Sequence, residues 1–184
     1  MKDVKITIRT ATLADVPAIF EIYSYHVVYG LASWELSSPS PEEFQNRFKA
    51  IIKKGFPFFI AKMDGVVAGY TYANSYRPRQ GYLYTVENSV YVHPEYQRRN
   101  LGYLLLNHLI KVCEDLGYRQ MIAVIGDSGN ISSIRLHKKS GFRHIGILPS
   151  IGFKHGRWID SVLMQRPLGL GDQNLPQNDP LPAF

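Results

Sequence analysis

The segment Ser89-Val-Tyr-Val-His-Pro-Glu-Tyr-Gln-Arg-Arg-Asn-Leu-Gly102 joins a strand to a helix through a basic loop. Alternating side chains from Ser89 to His93 predict the strand, and the apolar stripe after Gly102 predicts the helix. Backbone N–H groups at a helix start have no partner within the helix, and the helix dipole adds positive charge there. Such a loop can bind a pyrophosphate group. An ordinary basic turn is the alternative, and the loop alone does not decide between the two.

Composition and charge indicate a globular protein with anionic partners. The chain has 184 residues, 45% hydrophobic and 20% charged, which is enough for one domain with a substantial core. Its net charge of +6 favours nucleotide phosphates, nucleic acid or acidic metabolites as partners. The chain shows neither an apolar run long enough to cross a membrane nor a secretion signal, so we expect no membrane contact.

Cysteine and histidine usage gives no sign of disulfide or metal chemistry. A single cysteine excludes an internal disulfide and fits a cytoplasmic location. Cys113 shares an apolar helix stripe with Leu106, Leu109 and Ile110, which indicates a core position rather than a nucleophile. The six histidines lack the spacing of metal ligands, so we expect no metal site.

Periodicity predicts the element order β-α-α-β-β-β-α-β-α-β-β. The predicted strands are residues 5–9, 56–63, 66–74, 82–92, 121–125, 142–146 and 158–165, and the predicted helices follow residue 15, run from 40 to about 55, and span 101–116 and 130–140. This order is typical of an α/β (α+β) fold with a mixed central sheet flanked by helices. We expect one domain over residues 1–167, followed at 168–184 by a tail that is mobile or packed on a partner.

Two segments resemble the GNAT superfamily of N-acetyltransferases. Gln97-Arg-Arg-Asn-Leu-Gly102 is similar to the acyl-coenzyme-A signature Gln/Arg-x-x-Gly-x-Gly/Ala, with Asn100 at the first glycine. Asparagine tolerates the positive φ that this turn requires. Asn130-Ile-Ser-Ser-Ile-Arg-Leu-His-Lys-Lys-Ser-Gly-Phe142 resembles the segment Asn-x-x-Ala/Ser-x-x-Leu-Tyr-x-x-x-Gly-Phe. The predicted element order also matches the GNAT acyl-CoA N-acyltransferase fold.

Further segments resemble the phosphinothricin N-acetyltransferase family, which includes acetyltransferases of methionine sulfone and methionine sulfoximine. They are Tyr82-Leu-Tyr-Thr-Val-Glu-Asn-Ser-Val-Tyr-Val92, Ala123-Val-Ile-Gly126, Arg135-Leu-His137 and Gly152-Phe-Lys-His-Gly156. The resemblance implies acetyl-CoA as cosubstrate, direct acetyl transfer to the amine of a small amino acid or analogue, and a homodimer. It assigns cosubstrate binding to Val90, Tyr91, Val92, Gln97, Arg98, Arg99, Asn100, Leu101, Gly102, Asn130 and Ser133.

The same resemblance names the catalytic residues. Glu87 falls at the general-base position, where partial desolvation would raise its pKa toward useful basicity. The alternative is an outward-facing strand glutamate in a salt bridge. His137 stands where a tyrosine proton donor is usual, and the alternative is a half-buried, hydrogen-bonded histidine. Irregular alternation in this strand suggests a bulge near Asn88, which would free N–H groups at Val90 or Val92 as oxyanion donors.

Substrate contacts are assigned to Trp34, Arg77, Arg79, Tyr82 and Thr85. Arginine binds a carboxylate or phosphinate through two parallel hydrogen bonds. Two solvated loop arginines are the alternative, and Trp34 could equally anchor an interface.

Three other functions remain open from the sequence. The acceptor could be a peptide N-terminus or another small amine, although Arg77 and Arg79 would repel a polyamine. A nucleic-acid-binding module would need a groove-entering helix or a stacking-aromatic motif, and neither is apparent, so we expect no nucleic-acid partner. An acyl-CoA sensor would bind the cosubstrate without turnover.

Overall fold

The computed structural model describes residues 5–176 and 179–180 of the chain. Within these residues, seven strands and four α-helices follow one another in the predicted order. They are β1 (Ile6–Thr10), α1 (Val16–Tyr29), α2 (Pro41–Lys53), β2 (Phe58–Met63), β3 (Val66–Ser75), β4 (Thr85–Val92), α3 (Leu101–Asp115), β5 (Gln120–Gly126), α4 (Ile131–Lys139), β6 (Arg143–Lys154) and β7 (Arg157–Pro167). The predicted mixed sheet with flanking helices is confirmed.

The strands form one sheet in the order β1-β2-β3-β4-β5-β7-β6. Strands β4 and β5 pair in parallel, and the other neighbouring pairs are antiparallel. The parallel pairing is short and joins Thr85 to Gln120, Val86 to Met121 and Glu87 to Ile122. Beyond Glu87 the two strands diverge, while β4 stays paired with β3 as far as Val92. A groove therefore opens in the middle of the sheet.

The bulge that we predicted near Asn88 is wrong. Strand β4 keeps an unshifted register with β3 along its whole length. One side of β4 is freed because β5 diverges. Asn88 bridges the start of the opening, since its Nδ2 donates to the Ile122 carbonyl at 3.0 Å.

The core lies on both faces of the sheet. Under α1 and α2 it is largely aromatic, including Phe44, Phe48, Phe58, Tyr70 and Tyr91. Under α3 it is more aliphatic and contains Leu106, Leu109, Ile110, Cys113 and Met121. Cys113 is fully buried, which confirms its core position, and burial raises the pKa of its thiol.

Two strand boundaries differ from the prediction by three residues or more. Strand β4 begins at Thr85, because residues Gln80–Tyr82 form a 3₁₀ turn closed by a hydrogen bond from Leu83 N–H to the Gln80 carbonyl. Strand β6 runs to Lys154, well past the predicted end. Most of its side chains are exposed on both faces, so the alternation that reveals a half-buried strand is missing.

The described part of the predicted tail contacts its own chain. Leu168 is buried in the core, Arg119 Nη2 donates to Asn174 Oδ1 at 2.8 Å, and Tyr84 Oη donates to Asp179 Oδ1 at 2.7 Å. Residues 177–178 and 181–184 of that predicted segment lie outside the described residues.

Asp15 ties β1 to the start of α1. Its carboxylate accepts hydrogen bonds from Arg9 Nη1 and Nη2 at 2.7 and 2.6 Å, and from Thr12 N and Oγ1 at 2.8 Å each. The Arg9 hydrogen bonds outweigh burial and lower the pKa of Asp15 to about 2. The charged carboxylate therefore stabilises the folded state.

We expect Asp15→Asn to lower the free energy of unfolding by about 2 kcal/mol near neutral pH, as urea denaturation would measure. Because the folded pKa is depressed, this stabilisation is present above the usual pKa of 3.8 and is lost as pH falls toward about 2. The difference between variant and wild type should shrink over that interval. A difference that does not change with pH would contradict the assignment.

Candidate active site

Glu87 lies where β4 and β5 diverge and lines two adjoining cavities. The groove cavity, about 300 Å³, lies between the diverging strands and is lined by Asn88, Val90, Ala123, Val124, Asn130, Ser133 and His137, among others. The side cavity, about 620 Å³, is lined by Tyr76, Arg77, Pro78, Leu148, Ile151, Ser161 and Leu163. Glu87, Trp34 and Val124 line both. A carboxylate therefore stands between two spaces that could hold different molecules.

Burial raises the pKa of the Glu87 carboxyl above its ordinary value, and the charge of Arg77 partly offsets this. A desolvated carboxylate is a better proton acceptor than an exposed one. The half-buried side chain faces the cavities and does not lie on the outer surface.

His137 is buried, and each ring nitrogen lies within hydrogen-bond distance of a polar atom. Nε2 lies 3.1 Å from Asn88 Oδ1, and Nδ1 lies 2.8 Å from the Ser133 carbonyl. Because Asn88 Nδ2 already donates to Ile122, the Asn88 oxygen is left to accept from Nε2. Burial lowers the pKa of His137. These surroundings match the alternative of a hydrogen-bonded histidine, although His137 is more deeply buried than that alternative assumed. A role of His137 as proton donor stays a prediction.

The loop before α3 has the backbone conformation that an anion site needs. Arg98 and Asn100 adopt φ values of 60° and 63°, so Asn100 does take the positive φ expected of it. The first helical hydrogen bond runs from Leu104 N–H to the Asn100 carbonyl. The N–H groups of residues 101–103 therefore have no partner within the helix, and they fit a pyrophosphate.

Gly102 packs closely against two neighbouring elements. A Cβ at this position would lie 3.2 Å from Leu136 Cδ2 and 3.7 Å from Val92 Cγ2. The missing side chain lets α3 approach α4 and β4. Only the N–H group of Gly102 remains available to a phosphate.

The other cosubstrate positions are divided between backbone and side-chain roles. Asn130 caps α4, because its Oδ1 accepts from Ser133 N–H at 3.2 Å. Arg99 rests against the Tyr96 ring, with 5.6 Å between guanidinium carbon and ring centroid, while Gln97 and Arg98 are exposed. The side chains of Tyr91 and Leu101 are buried, and Tyr91 also lines the groove cavity.

The N–H groups of Val90 and Val92 face the freed side of β4. Successive N–H groups alternate between the two sides of a strand. His93 N–H donates to the Ala68 carbonyl on the β3 side, and His26 Nε2 donates to the Val92 carbonyl on the other, each at 2.9 Å. The N–H groups of Val90 and Val92 therefore point away from β3. Val90 also lines the groove cavity.

The predicted acceptor residues do not all meet in one place. Trp34 and Arg77 line the side cavity, and the Arg77 guanidinium lies 5.2 Å from the centre of the Tyr76 ring. Tyr82 and Thr85 line a neighbouring depression of about 270 Å³ instead. Arg79 is exposed and is absent from the side-cavity lining.

A family model described as an acetyltransferase (GNAT) domain matches residues 8–163. The chain belongs to the GNAT acetyltransferases. Together with the relatives described next, this match confirms the predicted family, fold, enzyme class and acetyl-CoA cosubstrate.

Three similar proteins carry more specific names. A phosphinothricin N-acetyltransferase of Alcaligenes faecalis is 47% identical over 171 residues, covering 93% of this chain and 87% of that protein. An L-methionine sulfoximine/L-methionine sulfone acetyltransferase of Salmonella typhimurium is 39% identical, covering 89% and 95%. The crystal structure of a GNAT superfamily phosphinothricin acetyltransferase from Sinorhizobium meliloti in complex with AcCoA is 43% identical, with a TM-score of 0.92 and 96% coverage of both chains.

Sequence reasoning missed several residues around the acetyltransferase site. Tyr72 and Glu35 line the groove cavity, and Asn88 connects His137 to β5. Tyr72 and Glu35 stand in no recognisable motif, whereas Asn88 lies next to Glu87 in the family-like segment Tyr82–Val92. Over the described residues no cluster of three or more metal-ligating side chains occurs. No helix there is long and apolar enough to cross a membrane.

Arg98 allows a clean test of the cosubstrate loop of this acetyltransferase. Because Arg98 has φ 60°, Arg98→Gly removes the charge without straining the turn. We expect the Kd for acetyl-CoA to rise about tenfold or more, the scale of one hydrogen bond to a charged group. The loss should diminish at high salt. Calorimetry measures both, with exposed Arg143→Ala as the control. Unchanged affinity in folded Arg98→Gly would remove Arg98 from the site.

Proposed function

We propose that this acetyltransferase transfers an acetyl group from acetyl-CoA directly to the amine of a small amino acid or analogue, of the phosphinothricin, methionine sulfone or methionine sulfoximine type. The observation that carries the proposal is the position of Glu87 between two cavities. The groove cavity adjoins the free backbone of β4 and the caps of α4. The side cavity contains the cationic side chain of Arg77.

The reaction requires removal of a proton from the acceptor ammonium. Glu87 accepts this proton, directly or through one water, and its raised pKa suits the task. The amine nitrogen then bonds to the acetyl carbon and gives up a second proton, the bond from that carbon to sulfur breaks, and the leaving thiolate takes up that second proton. The N–H groups of Val90 and Val92 are placed to stabilise the transient oxyanion.

Direct transfer is supported by the state of the one cysteine. Cys113 is fully buried in the core, and burial raises the pKa of its thiol. A protonated, inaccessible thiol is a poor nucleophile, so it does not offer a covalent acetyl intermediate.

The side cavity suits an amino acid with an apolar or sulfur-containing side chain. Tyr76, Leu148, Ile151 and Leu163 give it apolar walls. Arg77 can hold a carboxylate or phosphinate through two hydrogen bonds. The names of the Alcaligenes and Salmonella relatives point to the same class of acceptor.

We also propose a cytoplasmic homodimer whose catalytic domain is residues 1–167 and which acts without nucleic acid or membrane. A dimer is supported by the edge position of β6 and by a group of exposed apolar side chains on the β6–β7 hairpin: Ile145, Ile147, Leu148, Ile151, Phe153 and Trp158. Sedimentation velocity of the whole chain tests this assembly.

A thiol-release assay with acetyl-CoA tests the function. Acceptors should include proteinogenic amino acids, methionine sulfone, methionine sulfoximine, phosphinothricin, a simple alkylamine and a short peptide. We expect turnover with one or more of the amino-acid acceptors. Turnover confined to the peptide would show that the acceptor is a peptide N-terminus and not a free amino acid. Tight acetyl-CoA binding without turnover would indicate a sensor.

Glu87→Gln should lower turnover by about 10²–10⁴-fold, because it removes the proton acceptor and keeps its shape. The same change should raise the melting temperature near neutral pH. A carboxyl whose folded pKa is raised loses stability as pH rises through that pKa, and glutamine cannot ionise. Exposed Glu21→Gln is the matched control. Wild-type turnover with an unaltered pH profile would exclude Glu87 as the base.

Arg77→Ala should raise the KM for acidic acceptors about 10–100-fold, the range of a hydrogen bond to a charged group, and change kcat less. A contact made equally in ground and transition states mainly affects binding. The KM for an alkylamine should barely change. Arg79→Ala should have the smaller effect, because Arg79 is outside the side-cavity lining. A larger loss for Arg79→Ala than for Arg77→Ala would move the anion contact away from this cavity.

A further inference from the structure

The loop between α1 and α2, residues 30–40, carries Trp34 over the boundary of the two cavities. Trp34 lines both of them, although its side chain is 39% exposed. This loop has no regular secondary structure from residue 30 to Ser40. The position of the indole therefore depends on what holds the loop.

Side chains from elsewhere in the fold contact three backbone carbonyl groups of this loop. Tyr91 Oη donates to the Ala32 carbonyl at 3.4 Å, and Lys154 Nζ donates to the Ser33 carbonyl at 2.8 Å. His155 Nε2 lies 3.3 Å from the carbonyl oxygen of residue 30. The contact from Lys154 joins residues 121 positions apart and is the shortest of the three.

Lys154 is an unusual residue to find at such a contact. It lies at the end of β6, a strand that is mostly exposed, yet only 2% of Lys154 is accessible to solvent. Lysine is almost never fully buried unless it is paired, because an ammonium group loses strong hydration. Burial lowers its pKa, and the nearby Glu35 carboxylate partly restores it. The ammonium group of Lys154 is therefore buried at its hydrogen bond to Ser33, although most of β6 is exposed to solvent.

The indole of Trp34 packs against two glycines. A Cβ at Gly152, two residues before Lys154, would overlap the six-membered ring of Trp34. A Cβ at Gly126, the last residue of β5, would lie 3.3 Å from Trp34 Cζ2 and 2.5 Å from the Leu31 carbonyl oxygen. Larger residues at these positions would displace the ring.

We propose that Lys154 is a positioning residue of the acetyltransferase: its buried ammonium holds the Ser33 carbonyl and so fixes Trp34 over Gly126 and Gly152 as the wall of the acceptor cavity. Ser33 is itself bonded to α1, because its Oγ lies 3.2 Å from Tyr23 Oη. The Trp34 loop is thus hydrogen-bonded to β6 through Lys154 and to α1 through Tyr23. The effect on acceptor selection rests on the proposed function; the fixing of Trp34 does not.

The kinetic test compares Lys154→Met with wild type, and exposed Lys49→Met serves as the matched control. Methionine keeps the chain length but leaves the buried Ser33 carbonyl without its donor. We expect the KM for the amino-acid acceptor to rise about tenfold with kcat within about twofold, as for a lost binding contact. The KM for acetyl-CoA should rise less, because Trp34 is only one of many residues that line the groove cavity. Equal increases in both KM values, or none, would overturn the proposal.

The structural test is independent of turnover. The chain has two tryptophans, so Trp158→Phe leaves Trp34 as the only indole. In that background, Lys154→Met should shift the emission to the red and increase acrylamide quenching. Gly152→Ala should do the same, because its methyl group displaces the ring directly. Amide exchange over residues 30–36 should also become faster in Lys154→Met alone. Unchanged fluorescence and exchange in folded Lys154→Met would overturn the proposal, whatever the outcome of the thiol-release assay.

Lys154→Arg replaces Lys154→Met if the latter does not fold. Its larger guanidinium keeps the charge but cannot fit the same buried space without moving Ser33. We expect a change of about threefold or more in the acceptor KM and a smaller change in the acetyl-CoA KM. An unchanged acceptor KM and unchanged Trp34 emission would count against Lys154 as the positioning group.

Discussion

The divergence of β4 from β5 beyond Glu87 is the constraint on which the rest of the site depends. A strand that loses its neighbour leaves backbone groups unpaired, and buried unpaired groups are costly. Asn88 bridges the first gap by donating to the Ile122 carbonyl, and His137 holds Asn88 from α4. The same opening gives Val90 a free N–H group and gives Glu87 access to two cavities. The supports that keep the sheet open are thus neighbours of the residues that would perform the chemistry.

Two carboxylates show how their surroundings suit one to a structural role and the other to the proposed role of general base. Asp15 receives two hydrogen bonds from Arg9 and two from Thr12, and its pKa is lowered to about 2. Glu87 is half-buried, the charge of Arg77 offsets its desolvation only in part, and its pKa is raised. The first stays charged and stabilises the fold near neutral pH. The second can exchange a proton with an acceptor amine.

The acceptor side of the site is assembled from parts that are far apart in the sequence. Trp34 comes from the loop after α1, Arg77 from the loop after β3, and Leu148 and Ile151 from β6. Each lies on a different support, so small shifts in any of them reshape the cavity. Lys154 matters in this context because it joins two of these supports, the Trp34 loop and β6, through one buried hydrogen bond. Acceptor preference can therefore change without a change in the residues that bind acetyl-CoA.

The local sequence alone determined the elements whose signals are local. Alternation, caps and glycines near element ends identified the order of strands and helices, and the loop before α3 was recognised from its motif and its Asn100 turn. Glu87 and Asn130 were also placed by short motifs. Tertiary structure alone decided what depends on distant pairing. Strand β6 shows no periodicity because neither face is buried, Gly102 serves helix packing, and Arg77, not Arg79, reaches the side cavity. Lys154 stands in the family-like segment Gly152–Gly156, but no local pattern indicates its burial, since a lysine near a hairpin turn is typically solvated and its partner Ser33 lies 121 positions away.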